Sequence, residues 1–326
     1  MSAKLVVLLL SLALVLGCAA QLPREEVPEL YWPLPPEKPR IKFVDLIIGS
    51  IDVTGVRSGK FKQLLFGEEP EVGFLKPSFV AARDRVLYIT DIGRVHVYDF
   101  KRKEYRAIGG RLLTPTGIAV GPNSVLYVAD SSRRALYIIS PEGKFTEIKG
   151  FATPGGVALD EKRGRVLVCD TKKHQVVVLD TRGRRLFSIG RRGRGPGQFN
   201  FPYDVAVDKE GRIYVVDSGN FRVQILAPNG QPIRAFGTVG MVPGTFARPK
   251  GIALDSQGHI YVVDAAFGNF QIFDRLGRVY LAVGTNGLAP GQFQLPAGIA
   301  IDERDRIYVV DQMNRRIQVF QYLRHQ

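Results

Sequence analysis

The stretch Ile213–Leu226, IYVVDSGNFRVQIL, joins two apolar runs through a polar turn. Closely similar text returns as IYVVDAAFGNFQIF at Ile260–Phe273 and as IYVVDQMNRRIQVF at Ile307–Phe320. The runs are rich in β-branched and aromatic residues and are bounded by Gly, Asp and Asn, a pattern that is typical of strands joined by short turns. The sequence therefore predicts a pair of strands and a turn that the chain repeats.

Three landmarks extend the repeat to six units. Each unit begins with a Pro, has an Ala four residues later, and ends its second apolar run with an Asp. The prolines are 38, 39, 48, 47 and 47 residues apart: Pro77, Pro115, Pro154, Pro202, Pro249 and Pro296. The aspartates, to which we assign a structural role, are Asp91, Asp130, Asp170, Asp217, Asp264 and Asp311. Four short strands in a unit of this length indicate a propeller blade, so we predict an all-β, six-bladed β-propeller.

The sixth unit has no fourth strand after Ile317–Phe320. An unpaired outer edge would be prone to aggregation. The text of Gly59–Gly67 resembles Gly183–Gly190, which includes the fourth strand of the third unit. We therefore predict that an N-terminal strand at residues 60–66 pairs with residues 317–320 and completes the last blade. Residues 41–58 are assigned to an extra β-like extension and residues 59–326 to the propeller.

The turns that follow two of the aspartates share one form. Asp217–Arg222 and Asp311–Arg316 read Asp-x-x-Asn-x-Arg after Tyr-Val-Val. Together with Pro-x-Gly-Ile-Ala, this pattern resembles the NHL-repeat family of six-bladed propellers over residues 59–326. The resemblance implies that the Asp caps the turn and that the Arg packs back on it. Three units depart from the pattern at the Asn or Arg position, where they have Arg133, Lys173, Phe267 and Asn269.

The first seventeen residues have the composition of a secretory signal peptide: one Lys, an apolar core at Leu5–Leu16, and small residues after it. The text VLGC, which ends at Cys18, resembles the bacterial lipobox, in which the Cys is diacylated and becomes the new N-terminus. We predict lipidation of Cys18; an ordinary signal peptide with a chance Cys is the alternative. Ala19 after the Cys favours the outer membrane, so we expect a lipid-anchored protein of the cell envelope.

The segment from Gln21 to Arg40 contains six prolines. Proline disfavours helix and favours an extended polyproline-II conformation. At about 3.1 Å per residue, such a segment holds a domain up to roughly 60 Å from the membrane. We therefore assign residues 18–40 to the lipidated Cys and a tether.

The sequence offers little for catalysis. The four histidines share no metal-ligand spacing, and no nucleophile motif or phosphate-binding loop is present. Cys169 aligns with core residues of the other units, so we interpret it as a buried core residue. We predict no catalytic residue, no metal ligand and no cofactor. A propeller lyase or hydrolase with a metal in the central channel is the alternative, and metal analysis of the purified protein would distinguish the two.

Charge is the stronger signal for function. The formal net charge is +14, and Thr181–Tyr203 contains six arginines and no acidic residue. A field of this sign attracts anions. We expect an anionic protein, polysaccharide or other envelope component as partner. Nucleic acid is not expected, because an exported lipoprotein does not routinely meet it. A solvated basic surface without a partner is the alternative.

Propeller geometry predicts where such a partner binds. The first strand of a blade begins, and the second strand ends, at the same rim, so the loops there gather on a rigid scaffold. We predict a binding surface at this rim, formed by Arg133, Lys172, Lys173, Arg191, Arg192, Arg194, Tyr203, Asp204, Lys250 and Phe267. Asp204 stands where four units have Gly; a hydrogen bond to a neighbouring strand end is the alternative role for it. The turns of the opposite rim are expected to be plain connectors.

Overall fold

The computed structural model describes residues 28–34, 36–55 and 72–324. It consists of antiparallel four-stranded sheets and one five-stranded sheet, whose innermost strands contact one another in succession round a ring. The sixth inner strand contacts the first, which closes the circle. The predicted all-β, six-bladed β-propeller is confirmed. We number the blades from one, which begins at Pro77, to six, which begins at Pro296.

Blades one to five each contain four strands in chain order from the axis outward. Their strands are Val80–Arg83, Val86–Asp91, Arg94–Asp99 and Glu104–Ile108; Pro115–Val120, Leu126–Asp130, Ala135–Ile139 and Phe145–Lys149; Pro154–Asp160, Arg165–Asp170, Gln175–Asp180 and Arg185–Ile189; Pro202–Val207, Ile213–Asp217, Arg222–Leu226 and Pro232–Phe236; Pro249–Leu254, Ile260–Asp264, Asn269–Phe273 and Val279–Val283. Blade six has Ile299–Ile301, Arg306–Asp311 and Arg316–Tyr322. A short parallel pair, Thr285–Asn286 and Gln292–Phe293, lies in the loop that enters blade six.

The strand that closes blade six is not the predicted one. Ile41–Ile47 pairs antiparallel with Arg316–Tyr322, with Ile41 opposite Tyr322 and Ile47 opposite Ile317. The position given to residues 60–66 is therefore occupied by residues 41–47, and residues 60–66 themselves lie outside the described residues. The physical reason is packing: Ile41, Phe43 and Ile47 are buried in clusters shared with the neighbouring blades, and Phe43 is 1% exposed against Phe320. Part of the predicted extension is thus the outer strand of the propeller.

Part of the predicted tether also folds onto blade six. Tyr31–Trp32 pairs with Ile41 and Lys42 as a fifth strand. The Trp32 ring contacts the Phe320 ring edge-on, with centroids 5.7 Å apart. A free tether would therefore be shorter than residues 18–40, since the chain from Tyr31 onward is attached to the propeller.

A short helix, Ile51–Thr54, connects the closing strand to blade one. The Asp52 carboxylate accepts the N–H groups of Ile48 and Gly49 at 2.6 and 2.9 Å. Val53 is buried in a cluster that contains residues of blades six and one. The segment from residue 41 to residue 55 therefore fastens the last blade to the first. Short 3-10 helices occur at Pro122–Ser124, Glu161–Arg163, Thr171–Lys173 and Ser218–Asn220.

The inner strands crowd together where each blade begins. A Cβ on Gly117 would lie 2.2 Å from the carbonyl oxygen of Gly155 in the next blade, which no side chain tolerates. Each Pro in blades two to five is paired with the Asp that ends the second strand, so both lie on one rim. We call this the proline rim; the other end of the propeller is the opposite rim.

Candidate functional site

The repeat aspartates lie buried on the proline rim, where each carboxylate joins an incoming loop to its blade. In blade six, Asp311 accepts the backbone N–H of Gln294 at 2.8 Å and Nε of Arg316 at 2.7 Å. Asn314 and Gln318 also donate to Asp311, at 2.8 and 3.0 Å. The carboxylate therefore holds the loop that enters its own blade as well as the turn, whereas the resemblance to NHL repeats implied only the turn.

Blade five shows what changes where the pattern departs from Asn and Arg. Within the described part of the chain, Asp264 accepts hydrogen bonds only from backbone N–H groups, those of Ala247, Arg248, Ala266 and Phe267. The Asn269 amide oxygen is buried without a hydrogen-bond partner among the described residues. The loops at this blade are consequently held by fewer charged contacts.

In blade one, His96 takes the place that Gln318 has in blade six. Its Nε2 lies 3.2 Å from the Asp91 carboxylate, and its Nδ1 lies 2.9 Å from the Tyr105 hydroxyl. Burial acts to raise the pKa of Asp91, but the hydrogen bonds from His96 and from the backbone outweigh it and leave that pKa below its ordinary value. His96 thus belongs to the architecture of the blade.

Two aromatic rings meet across the propeller axis at the proline rim. Phe79 of blade one and Tyr203 of blade four come from opposite sides of the ring and stack with centroids 5.7 Å apart. The Lys250 ammonium group lies 5.8 Å from the centroid of the Tyr203 ring. Burial raises the pKa of Tyr203, so its phenol stays neutral. Two predicted site residues, Tyr203 and Lys250, therefore meet at the axis, and Phe79 joins them without having been predicted.

Asp204 lies next to this stack and connects three blades. One carboxylate oxygen accepts the N–H of Val205 at 2.8 Å, and the other accepts the N–H of Ile252 in blade five at 2.9 Å. A Cβ on Gly156 of blade three would lie 2.0 Å from the Asp204 carboxylate, so this side chain fills the space that the glycine leaves. Asp204 is 5% exposed, and burial raises its pKa to about 7 despite the two backbone hydrogen bonds. Its geometry is that of a contact with a neighbouring strand end.

Lys250 is 7% exposed. Burial, followed by the charges of Arg248 and Lys76, lowers the pKa of Lys250 to about 8. Among the described residues its ammonium group has no carboxylate or other hydrogen-bond acceptor. The position immediately after Pro249 gave no sign of this burial in the sequence.

The remaining predicted residues are spread along the rim. Phe267 is partly buried, and the cations that project from the turns and loops are exposed: Arg133, Lys172, Lys173, Arg191, Arg192 and Arg194. Of these cations only Lys173 approaches a carboxylate of the described chain, that of Asp170 at 3.9 Å. The structure does not gather them into one pocket, because they belong to different blades.

The two rims differ in their electrostatics. In the described loops of the proline rim, the carboxylates are those of the repeat aspartates, Asp204 and Asp52; Asp52 is partly buried and occupied by the N–H groups of Ile48 and Gly49, and the others are buried. On the opposite rim, acids and bases pair with each other, as Arg184 does with Asp180, Arg212 with Asp208, and Arg278 with Asp274. The uncompensated positive charge of the loops therefore concentrates on the proline rim.

The opposite rim contains a cavity of about 400 Å³ that the sequence analysis missed. Its walls come from blades four, five and six, with Val207, Leu254 and Ile301 as the apolar part. A signal existed in the sequence, because an Asp follows each of these three residues. These carboxylates accept hydrogen bonds from their own turns: Asp208 from Glu210 and Arg212, Asp255 from Gln257 and His259, and Asp302 from Arg304 and Arg306.

The described histidines lie in three different blades, one, three and five. No group of three His, Cys, Asp or Glu side chains in residues 28–34, 36–55 and 72–324 is placed to hold a metal ion. Cys169 is fully buried, and burial raises its pKa well above the usual value, so its thiol is a poor nucleophile.

Comparisons with known proteins agree with the architecture. The DUF5128 family model, described as a 6-bladed beta-propeller, matches residues 158–226 and 250–324. This chain is a six-bladed β-propeller. No curated protein matches it.

Three solved structures are similar to this chain. An auxiliary nutrient binding protein from Bacteroides thetaiotaomicron is 17% identical with a TM-score of 0.63, over 77% of this chain and 70% of that chain. A protein of unknown function from the same organism is 16% identical with a TM-score of 0.60 over the same shares, 77% and 70%. A catalytically inactive virginiamycin B lyase from Staphylococcus aureus, with quinupristin, is 13% identical with a TM-score of 0.58, over 79% of this chain and 86% of that chain. These similarities show the fold.

A membrane-spanning helix would need a long apolar segment. Within the part of the chain that the structure describes, no helix has the length and apolar character to cross a bilayer.

Proposed function

We propose that this protein binds an anionic partner, a protein, a polysaccharide or another envelope component, through its proline rim. The observation that carries the proposal is the charge asymmetry: the exposed cations of that rim face no exposed carboxylate in the described loops. Loops on a rigid scaffold are common sites of recognition, and unpaired cations favour anionic surfaces. The fold that this chain shares with an auxiliary nutrient binding protein agrees with a binding role.

We further propose that the propeller is NHL-like and is attached to the cell envelope through a lipid on Cys18, with the outer membrane as the favoured location. The Asp-x-x-Asn-x-Arg turns support the first part and the lipobox-like VLGC supports the second. Residues 1–27 lie outside the described residues. Mass spectrometry of the mature N-terminus tests the anchor. An acylated Cys18 in the wild-type protein and an unacylated precursor in Cys18→Ser are expected, and an unmodified wild-type N-terminus would contradict it.

Charge reversal on the proline rim tests the binding surface. The variant carries Arg133→Glu, Lys172→Glu, Arg192→Glu and Arg194→Glu, all of them exposed and without an ion pair in the described chain. Its binding to immobilised alginate and dextran sulfate is measured over a series of NaCl concentrations. We expect affinity at low salt to fall at least about tenfold and the salt dependence to flatten.

A matched control distinguishes the effect of this surface from the effect of the protein's net charge. The changes Lys144→Glu, Arg182→Glu, Lys209→Glu and Arg304→Glu alter net charge by the same amount, but these exposed residues lie on the opposite rim. The control is expected to keep most of the wild-type affinity. Equal loss in both variants would show that binding follows net charge rather than the proline rim.

A further inference from the structure

The Lys250 side chain is buried without any group that balances its charge. It is 7% exposed, and no carboxylate or other hydrogen-bond acceptor in residues 28–34, 36–55 and 72–324 reaches its ammonium group. The ammonium group lies over the face of the Tyr203 ring, 5.8 Å from the ring centroid. The ammonium nitrogen itself still reaches solvent, since it is not among the fully buried, unpartnered polar atoms of the described chain. Because a charge that loses water is costly unless it is paired, an anion that reaches this nitrogen would compensate its partial desolvation.

Two further cations lie near enough to Lys250 to act on it through their charge. Lys76 stands before Pro77 in the loop that enters blade one, and Arg248 stands before Pro249 in the loop that enters blade five. Both are exposed, and both act on Lys250 through their charge. The stacked rings of Phe79 and Tyr203 lie at the same end of the axis, so an anion held by these cations would rest beside the stack.

We propose that Lys250, Lys76 and Arg248 form an axial site for one tetrahedral oxyanion group, a phosphate or sulfate, carried by the partner. The proposal rests on the proposed function and names the group that the proline rim recognises at its centre. Three cations whose side chains form no ion pair in the described chain suit a group with several acceptor oxygens and more than one negative charge better than a monocarboxylate. Asp204 is the acidic group beside this site, and it is occupied by the backbone N–H groups of Val205 and Ile252.

Isothermal titration with small anions tests the axial site. The probes are inorganic phosphate and inorganic sulfate, then glucose 6-phosphate and glucose 6-sulfate to distinguish the two ester types, and glucuronate as the carboxylate comparison. We expect oxyanion binding to the wild-type protein and clearly weaker binding of glucuronate. Lys250→Met, which fills the buried site with an apolar side chain, should lower oxyanion affinity at least about tenfold. Lys144→Met, at an exposed position on the opposite rim, should change it less than about twofold.

The pH profile provides a second readout. Lys250 has a pKa of about 8, so the free protein loses this charge as pH rises through that value. Arg248 and Lys76 supply the other cationic charges, Tyr203 stays neutral, and Asp204, with a pKa of about 7, is mostly ionised above that value. Sulfate binding read above about pH 7.5 should therefore weaken with rising pH in the wild type and much less in Lys250→Met.

Lys76→Gln and Arg248→Gln change exposed side chains, so they test the site even if Lys250→Met folds poorly. Each of them should weaken oxyanion binding. No binding of phosphate or sulfate to the wild-type protein at millimolar concentration would overturn the axial site. Equal binding by wild type and Lys250→Met would overturn it as well. Salt-dependent alginate binding that persists in either case would leave the proposed function standing, so the two failures are distinguishable.

Discussion

The ring of Tyr203 stacks on the ring of Phe79 across the propeller axis, with centroids 5.7 Å apart and planes 17° from parallel. The two residues belong to blades four and one, which face each other in the ring. Their contact joins opposite blades directly, whereas most contacts in a propeller join neighbours. The stack therefore stabilises the ring of blades at the rim where we place the binding surface.

Removal of the Tyr203 ring should destabilise the whole propeller. Tyr203→Ala deletes a large, mostly buried ring, for which we expect a loss of about 3 kcal/mol in the free energy of unfolding. Tyr203→Phe is the matched control, because the Tyr203 hydroxyl has no hydrogen bond in the described chain. The control should lie within about 1 kcal/mol of wild type. Urea denaturation measures both, and equal losses would mean that the hydroxyl rather than the stack matters.

The closing strand should be as important as any inner strand. Phe43 is 1% exposed and meets the Phe320 ring edge-on at 5.5 Å. Phe43→Ala is expected to cost about 3–5 kcal/mol and to promote aggregation through the freed edge of blade six. Lys42→Ala, on the same strand with 39% of its side chain exposed, should have little effect. Thermal unfolding and light scattering compare the stability and aggregation of the two variants. A Phe43→Ala protein with the melting temperature of wild type would show that this strand does not close the ring.

The sequence predicts the blades well because their landmarks are local. A Pro, an Ala and an Asp recur at fixed offsets, and each has a role that the blade itself determines. The closing strand could not be predicted in this way, because the sequence of Gly59–Gly67 resembles a fourth strand more closely than that of Ile41–Ile47 does. Packing of Phe43 and its neighbours between blades decides the outcome, and this depends on residues far apart in the chain.

The candidate site, like the fold, could be predicted from the sequence only where it depends on local features of the blades. Strand order alone places the basic turns on one rim, so that rim could be predicted. The burial of Lys250 and the opposite-rim cavity could not, because each depends on how several blades pack round the axis. The sequence marks Asp204 as a departure from Gly, but its hydrogen bond to Ile252 depends on how blade five packs against blade four.

The ion pair between Asp311 and Arg316 in blade six should contribute much more to stability than the exposed side chain of Arg315 beside it. Arg316 is 8% exposed and donates to Asp311 at 2.7 Å and to the carbonyl groups of Ala289 and Gln292 at 2.9 Å. Arg316→Ala removes one partner of a buried ion pair, so a loss of about 3–5 kcal/mol is expected. Arg315→Ala changes an exposed side chain next to it and should stay within about 0.5 kcal/mol. Chemical denaturation gives the free energy of unfolding of both variants. Similar losses in Arg316→Ala and Arg315→Ala would show that the Asp311–Arg316 ion pair is not a major source of stability.

Asp204 should make the stability of the protein depend on pH in an unusual direction. Its pKa is raised to about 7 by burial, against an ordinary value of 3.8. Between these two values the folded state holds a proton that the unfolded state has released. The contribution of Asp204 to stability is therefore greatest below about pH 4 and is lost as pH rises towards about 7. The size of the shift corresponds to about 4 kcal/mol at most.

The comparison variant is Asp204→Gly, which installs the residue that four other blades have at this position. Urea denaturation of both proteins from about pH 4.5 to 7.5 gives the difference in the free energy of unfolding, in which other titrating groups largely cancel. Wild type should lose stability relative to Asp204→Gly as pH rises through this range. The pH range ends at about 7.5 because Lys250 has a pKa of about 8, and above that pH its titration makes stability rise with pH instead of fall. Parallel curves for the two proteins would mean that Asp204 is ionised in the fold throughout, with its hydrogen bonds to Val205 and Ile252 sufficient to hold the charge.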